Sequence, residues 1–545
     1  MSRPRRGLTR RGLLRAGGAG AAGAALAGPL AGAARAQGIR EEPDGDRNVL
    51  LIVTSNTRAD FVGAFEDAHD LADTPNLDEL AGQSLRFERA VPESMPSVPA
   101  RRAILTGMRS FPFRDWERTE QMPPEPGWSP IVERRQPIVT GVMQASEVTT
   151  AYATDNPFLI GPSFANFRDT IDGFRAQPSQ AAYSIYNEPL QEAASAGEVR
   201  SQLAPGLRGT ATEQRMREHV AWNRANRRRE EEYSAARVVR DGIDLLRELE
   251  GRQPFFLGVD MFDPMEPFDP PGSDGIMPVP IEPGHARVDE MGLDDAALDR
   301  VREQYAAELT FVDRWIGRLL DELDRLQLAS NTLVYYLSDH GVALGERGAI
   351  GRPPSPHEEV YRVPYMIRDP SGRRAGDRTE WHASTHDIAP TMLSWLGLTV
   401  PGKMEGEDLT AFFDDYTGED DDDDRDIVEG PRGRGHFTSA LGTTVLAGGE
   451  DYVLIATGSG TVDGADKRVY EVEDDRDDDG SEDESVERPE LIDKLWQELL
   501  AAAGGTLPEF RDGRVQRPQP LVQVDEIERL GQDDELSPDE QDPDS

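Results

Sequence analysis

The sequence predicts an α/β fold, with a mostly parallel central sheet followed by a smaller α+β subdomain. Three observations carry this. Residues 48–54, 254–262 and 332–337 are continuous apolar runs of strand length, the pattern of parallel strands buried on both faces. Each run ends in a polar cluster: Ser55-Asn56-Thr57-Arg58-Ala59-Asp60, Asp263-Pro264-Met265-Glu266 and Ser338-Asp339-His340-Gly341. The carboxyl ends of such strands are where α/β sheets place their sites. The third observation is helical periodicity between the runs, longest over 294–328 (Leu298, Val301, Tyr305, Leu309, Val312, Trp315, Leu319).

Taken in order, residues 1–36 read as an address. Thr9-Arg10-Arg11-Gly12-Leu13-Leu14, an Ala/Gly-rich run and Ala34-Arg35-Ala36 before Gln37 predict a twin-arginine export signal, cut by a peptidase after delivery to the Tat translocase. The expected location is extracellular or cell-surface. No other apolar run nears the 18 residues of a transmembrane span, so the mature chain is expected to be soluble. Residues 37–47 are a polar linker, and 48–413 the large domain. Within it, Thr74-Pro75-Asn76-Leu77-Asp78 opens a helix, and 85–90 alternates like a strand.

Ser97-Val98-Pro99-Ala100-Arg101-Arg102-Ala103-Ile104-Leu105-Thr106-Gly107 follows. Pro99 suits the first turn of a helix. A Ser at that start meets free N–H groups and a positive helix end, with Arg101 one turn on. Two readings stay open on these residues: an N-cap on an ordinary helix, or a nucleophile presented to a sulfate or phosphate ester. Residues 149–153 predict a further strand. Residues 212–250, dense in Arg and Glu, predict a surface helix laced with charge pairs, Arg227-Arg228-Arg229 lying on its solvated face. Residues 414–435 form an acidic linker and 436–510 a small subdomain, with strands at 452–455 and 469–472 and a helix at 492–502. The acidic tail 511–545 is predicted to be disordered.

Composition excludes several classes. Asp and Glu total 102 against 59 Lys and Arg, a net charge of −43, which repels nucleic acid. It suits solubility in high salt, where self-repulsion is screened, and points to a halophilic source. With no cysteine, disulfides, thiolate metal sites and Cys nucleophiles are ruled out.

The 97–107 string resembles the sulfatase signature, Cys or Ser, x, Pro, x, Arg, three residues, Leu-Thr-Gly. The resemblance extends in order from Asn48 to about residue 505. It implies the alkaline-phosphatase/sulfatase-like sandwich and a sulfuric ester hydrolase acting on an aryl sulfate or sulfated carbohydrate. It implies catalytic roles for Ser97, Arg101 and Arg352, the two arginines also binding substrate. Ser97 stands where the family oxidises its residue to formylglycine, a step that needs a Ser-type maturation enzyme. Asp339 and His340 match family Ca²⁺ ligands. Ser55 and Asn56 stand where the family has paired aspartates, so the resemblance implies a weakened Ca²⁺ site made of Asn56, Asp339, His340 and, weakly, Ser55. Met265 replaces a family His that faces the sulfate, and Arg352 falls at or beside a family Lys. Two alternatives follow: a catalytically degenerate anion- or glycan-binding protein, or a phosphoesterase or phosphotransferase using unmodified Ser97.

Overall fold

In the computed structural model the first apolar run forms β1 (Asn48–Thr54), buried along its whole length. The structure describes residues 45–507 except 66–67, 114–125, 128–130, 132–135, 162–163, 180–193, 273–284, 415–427, 429–433, 458–465, 473–487 and 506. The predicted export signal, nearly all of the linker 37–47, most of the acidic linker 414–435 and the tail 511–545 lie outside the described residues.

β1 lies between β5 (Phe255–Asp260) and β7 (Thr332–Ser338) and runs parallel to both. Outward from β5 come β3 (Thr149–Thr154) and β4 (Gly173–Ala176). Outward from β7 come β10 (Tyr365–Arg368), β2 (Leu85–Phe87) and β11 (Arg378–Thr379). Within this sheet β10 is antiparallel to both neighbours and the other pairings are parallel. The register decides where the site falls. Val53 lies opposite Asp260 and Thr54 opposite Ser338, so the polar clusters after β1, β5 and β7 leave the sheet at one level.

Alternate residues of each strand feed two apolar layers, as a period of two requires. Val49, Leu51 and Val53 pack with Ile388, Met392 and Leu393 of the helix Ile388–Trp395. Leu50 and Ile52 pack on the other side with Val238 and Leu246 of the helix Ser234–Leu249 and Val312 and Leu319 of the helix Asp295–Arg325. Each such side chain contributes about 1.5–3 kcal/mol by leaving water.

The reading of 212–250 as one surface helix is corrected. It forms two helices, Ala211–Asn226 and Ser234–Leu249, and the second buries Val238, Val239, Leu245 and Leu246 against the sheet. Its many charged residues occupy the opposite face and mask the apolar stripe. Arg228 and Arg229 are exposed as predicted. Arg227 is buried, donating to Asp269 at 3.0 Å between the rings of Trp222 and Tyr233.

A second sheet of four antiparallel strands follows: β12 (Phe437–Leu441), β13 (Thr444–Gly448), β14 (Tyr452–Thr457) and β15 (Asp466–Glu471). The helix Pro489–Ala502 covers it with Leu495, Trp496 and Leu499. This sheet grips the loop before Ser97. Met95 N–H donates to the carbonyl of Ala440 at 2.8 Å, and the Ser439 hydroxyl to that of Pro92 at 2.6 Å. A three-stranded sheet, β6 (His285–Arg287), β9 (Ala349–Gly351) and β8 (Ala343–Leu344), presents Arg352.

Candidate active site

The site is built where β1, β5 and β7 end. After Thr54 the backbone turns sharply at Asn56, whose φ of 64° lies in the left-handed region that Asn tolerates better than most residues. The Tyr305 hydroxyl holds this turn, donating to the Asn56 carbonyl at 2.7 Å and accepting from Arg58 N–H at 2.9 Å. Ser55 N–H donates to the Asp263 carbonyl at 3.3 Å, and Thr57 N–H to the Ser338 hydroxyl at 2.9 Å.

Ser97 is the first residue of the helix Ser97–Thr106 and 2% exposed. It is not an N-cap: Pro96 holds that position, without a side-chain cap bond. Gly107 closes the helix with φ 62°. A Cβ there would stand 2.9 Å from Met404, so a larger residue is excluded by both backbone and space.

Arg101 is 1% exposed and its guanidinium is fully engaged. Nε and Nη2 donate to the two oxygens of Asp260 at 2.8 and 2.5 Å. Nη1 donates to Asp339 Oδ2 and, at 3.3 Å, to the Ser97 carbonyl. Nη2 also reaches the Ser55 hydroxyl at 3.2 Å, and that hydroxyl donates to Asp339 Oδ2 at 3.0 Å. The Tyr152 hydroxyl donates to Asp260 at 2.8 Å. Gly258 makes room for that ring, since a Cβ there would stand 2.3 Å from it.

Arg352 forms the second pair. Its Nη1 donates to both oxygens of Glu266 at 3.2 Å and to Asn56 Oδ1 at 3.1 Å, while the buried Nη2 has no partner among the described residues. Met265 lines the same space, its sulfur 3.2 Å from Asn56 Nδ2.

Burial and charge set the protonation states. Burial disfavours the charge on Arg101, but Asp260 and Asp339 more than offset this and raise its pKa. Asp339 lies below the usual carboxylate range: burial opposes, and attraction from His340 and Arg101 prevails. Asp260 is raised by burial against the pull of Arg101. Burial also lowers the His340 pKa, with attraction from Asp339 opposing. The His340 Nδ1 is 2.8 Å from the Gly341 carbonyl and must donate to it. Nε2 stands 3.5 Å from Asp339 Oδ1, and among the described residues neither atom has a hydrogen-bond partner.

The structure thus brings together Ser55, Asn56, Arg101, Asp339, His340 and Arg352, with Ser97 held through its carbonyl. Asp260, Tyr152 and Glu266 were missed from the sequence. The one available signal was an acid at the last position of an apolar strand, as in Asp260.

The residues present do not fit Ca²⁺, which takes six to eight oxygen ligands. Asp339 Oδ2 and both Asp260 oxygens are held by Arg101, and Asn56 Oδ1 by Arg352. Among the described residues no three His, Cys, Asp or Glu side chains form a group that could hold a metal.

Residues 47–398 match the family model described as Sulfatase. The chain is 26% identical over 419 residues to the multifunctional alkaline phosphatase superfamily protein PehA of Trinickia caryophylli, covering 67% of this chain and 77% of that protein. It is 25% identical over 397 residues to an arylsulfatase of Clostridium perfringens, covering 68% and 78%. Among solved structures, a phosphonate monoester hydrolase from Silicibacter pomeroyi superposes with a TM-score of 0.61 at 17% identity, over 87% of this chain and 100% of that one.

Proposed function

Because the chain belongs to the sulfatase family, we propose that it is a sulfuric ester hydrolase, acting on an aryl sulfate or sulfated carbohydrate, with residue 97 as nucleophile. The observation that supports this is the position of Ser97. It opens a ten-residue helix, whose free N–H groups favour a tetrahedral anion, beside the level at which three parallel strands end. If oxidised to formylglycine, residue 97 would supply a hydrated aldehyde as nucleophile. The unpartnered Arg352 Nη2 is a donor for an ester oxygen, and His340 Nε2 is a proton acceptor. Export by the twin-arginine route and modification by a Ser-type maturation enzyme belong to this reading. Among the described residues no helix is long and apolar enough to cross a membrane.

A second reading, anion or glycan binding without turnover, has one observation in its favour. Arg101 and Arg352 face three carboxylates, Asp260, Asp339 and Glu266, so their positive charge is largely spent. One experiment separates the readings. Protein secreted by its own host is assayed with 4-nitrophenyl sulfate, 4-nitrophenyl phosphate and a phosphonate monoester, and its Ser97 peptide is weighed. Sulfate turnover that Ser97→Ala abolishes supports the hydrolase. Turnover confined to the phosphorus esters by unmodified Ser97 would make it a phosphoesterase. Binding of heparin with no turnover would make it a binding protein.

A further inference from the structure

We propose that the Arg101 guanidinium takes the place of a divalent cation: it neutralises the carboxylates of the site from within the chain, and the site excludes Ca²⁺ while Arg101 is there.

Charge and hydrogen-bond donors both point to this role. With Ser55 and Asn56 at the end of β1, the negative groups facing Arg101 are Asp260 and Asp339, both essentially inaccessible to water. Buried carboxylates need a cation, and here one planar guanidinium serves both. It offers a fork to Asp260 through Nε and Nη2, and a third donor, Nη1, to Asp339. The same group orders the neutral residue that replaces a carboxylate, since Ser55 Oγ accepts from Nη2 and passes its own proton to Asp339. A metal would have to break these bonds and leave a charged Arg buried without partners, which is costly. Among the described residues, the buried side-chain atoms left there without a partner are Asp339 Oδ1 and His340 Nε2, one oxygen and one nitrogen. That is too few donors for a hard cation.

Cation occupancy of the site does not depend on hydrolysis, so calcium binding alone is the readout. Calcium is titrated calorimetrically into full-length mature protein, and melting temperatures are taken with EDTA and with excess Ca²⁺. Wild type should give no saturable heat and the same melting temperature in both conditions. Arg101→Met frees Asp260, Asp339 and Ser55 at once. It should gain Ca²⁺ affinity by at least tenfold and melt higher with Ca²⁺ than with EDTA. Arg101→Lys, which keeps the charge, should gain none. Wild-type binding tighter than about 1 mM, the weak end of natural calcium sites, would overturn the proposal. So would an Arg101→Met protein that folds and stays indifferent to Ca²⁺. If that variant does not accumulate, the wild-type titration decides alone.

Discussion

The buried carboxylates at and around the loop after β5 fall into two sets that are treated differently. Asp260, Asp339 and Glu266 have guanidinium partners in Arg101 and Arg352. Asp155, Asp263 and Glu308 have backbone donors at best: Phe262 N–H to Asp155 at 2.7 Å and Ala235 N–H to Asp263 at 3.0 Å. One oxygen of each of the three is without a partner. The consequence shows in their protonation. Burial pushes Asp263 up to about 7, with Arg227 opposing. Burial likewise raises Glu308, with repulsion from Asp263 adding to it, and raises Asp155, again with Asp263 adding. Burial alone does not decide the outcome: Asp339, beside His340 and Arg101, lies below the usual carboxylate range, while burial keeps Asp260 raised against the pull of Arg101. The first set is held by guanidinium donors. The second is pushed by burial toward its protonated form.

The strongest way to break this contrast is to remove the cation from the first set. Arg101→Met in calcium-free buffer should destabilise the fold by about 3–5 kcal/mol, the cost of leaving buried charges unpaired. Adding Asp260→Asn should recover part of that loss. Urea unfolding measures both, and a loss below about 1 kcal/mol, the scale of a surface pair, would mean the carboxylates are not charged.

A smaller effect sharpens the other side. Asp263 keeps its proton when folded up to about pH 7 and loses it when unfolded near 3.8. The folded state binds more protons over that interval, so this group's contribution to stability falls as pH rises from about 4 to 7 and is level above. Asp263→Asn can keep the bond from Ala235 and should flatten the slope. It should therefore gain on wild type between pH 5 and pH 8, by about 1 kcal/mol or more. Parallel pH profiles for both proteins would expose a misassigned proton.

The smallest effect belongs to charges that water already screens. Arg314 and Arg318, about half exposed, reach Glu230 at 2.9 and 3.1 Å. Changing both to Gln should alter stability by no more than about 1 kcal/mol, and by less still in high salt. Thermal melts at two ionic strengths suffice to check it.

Much of this was legible in the residues. A strand buried on both faces cannot hide its apolar run, so β1, β5 and β7 stand out, and the polar clusters that end them converge as expected. The helix at 97 was readable from Pro99 and Gly107, and Asn56, Met265 and Arg352 do meet. What stayed hidden depends on pairing at a distance. Nothing local distinguishes Arg101 as a substrate clamp from Arg101 as the counter-ion of Asp260, 159 residues away. Arg227 looked solvated because two exposed arginines follow it, and only the fold supplies Asp269, Trp222 and Tyr233. The helix Ser234–Leu249 was misjudged because dense charge on one face conceals the period of the other.

The grip of the C-terminal sheet on the loop before Ser97 has a consequence in time. Ser439 and Pro92 are 347 residues apart, so a ribosome adding about 5–20 residues per second leaves an interval of roughly 20–70 s between making the loop and making its clamp. During that interval the loop before Ser97 lacks its anchors on β12. In the folded chain Ser97 is 2% exposed. A maturation enzyme acting on the growing chain would meet residue 97 beside a loop that stays unanchored until the last fifth of the chain is made.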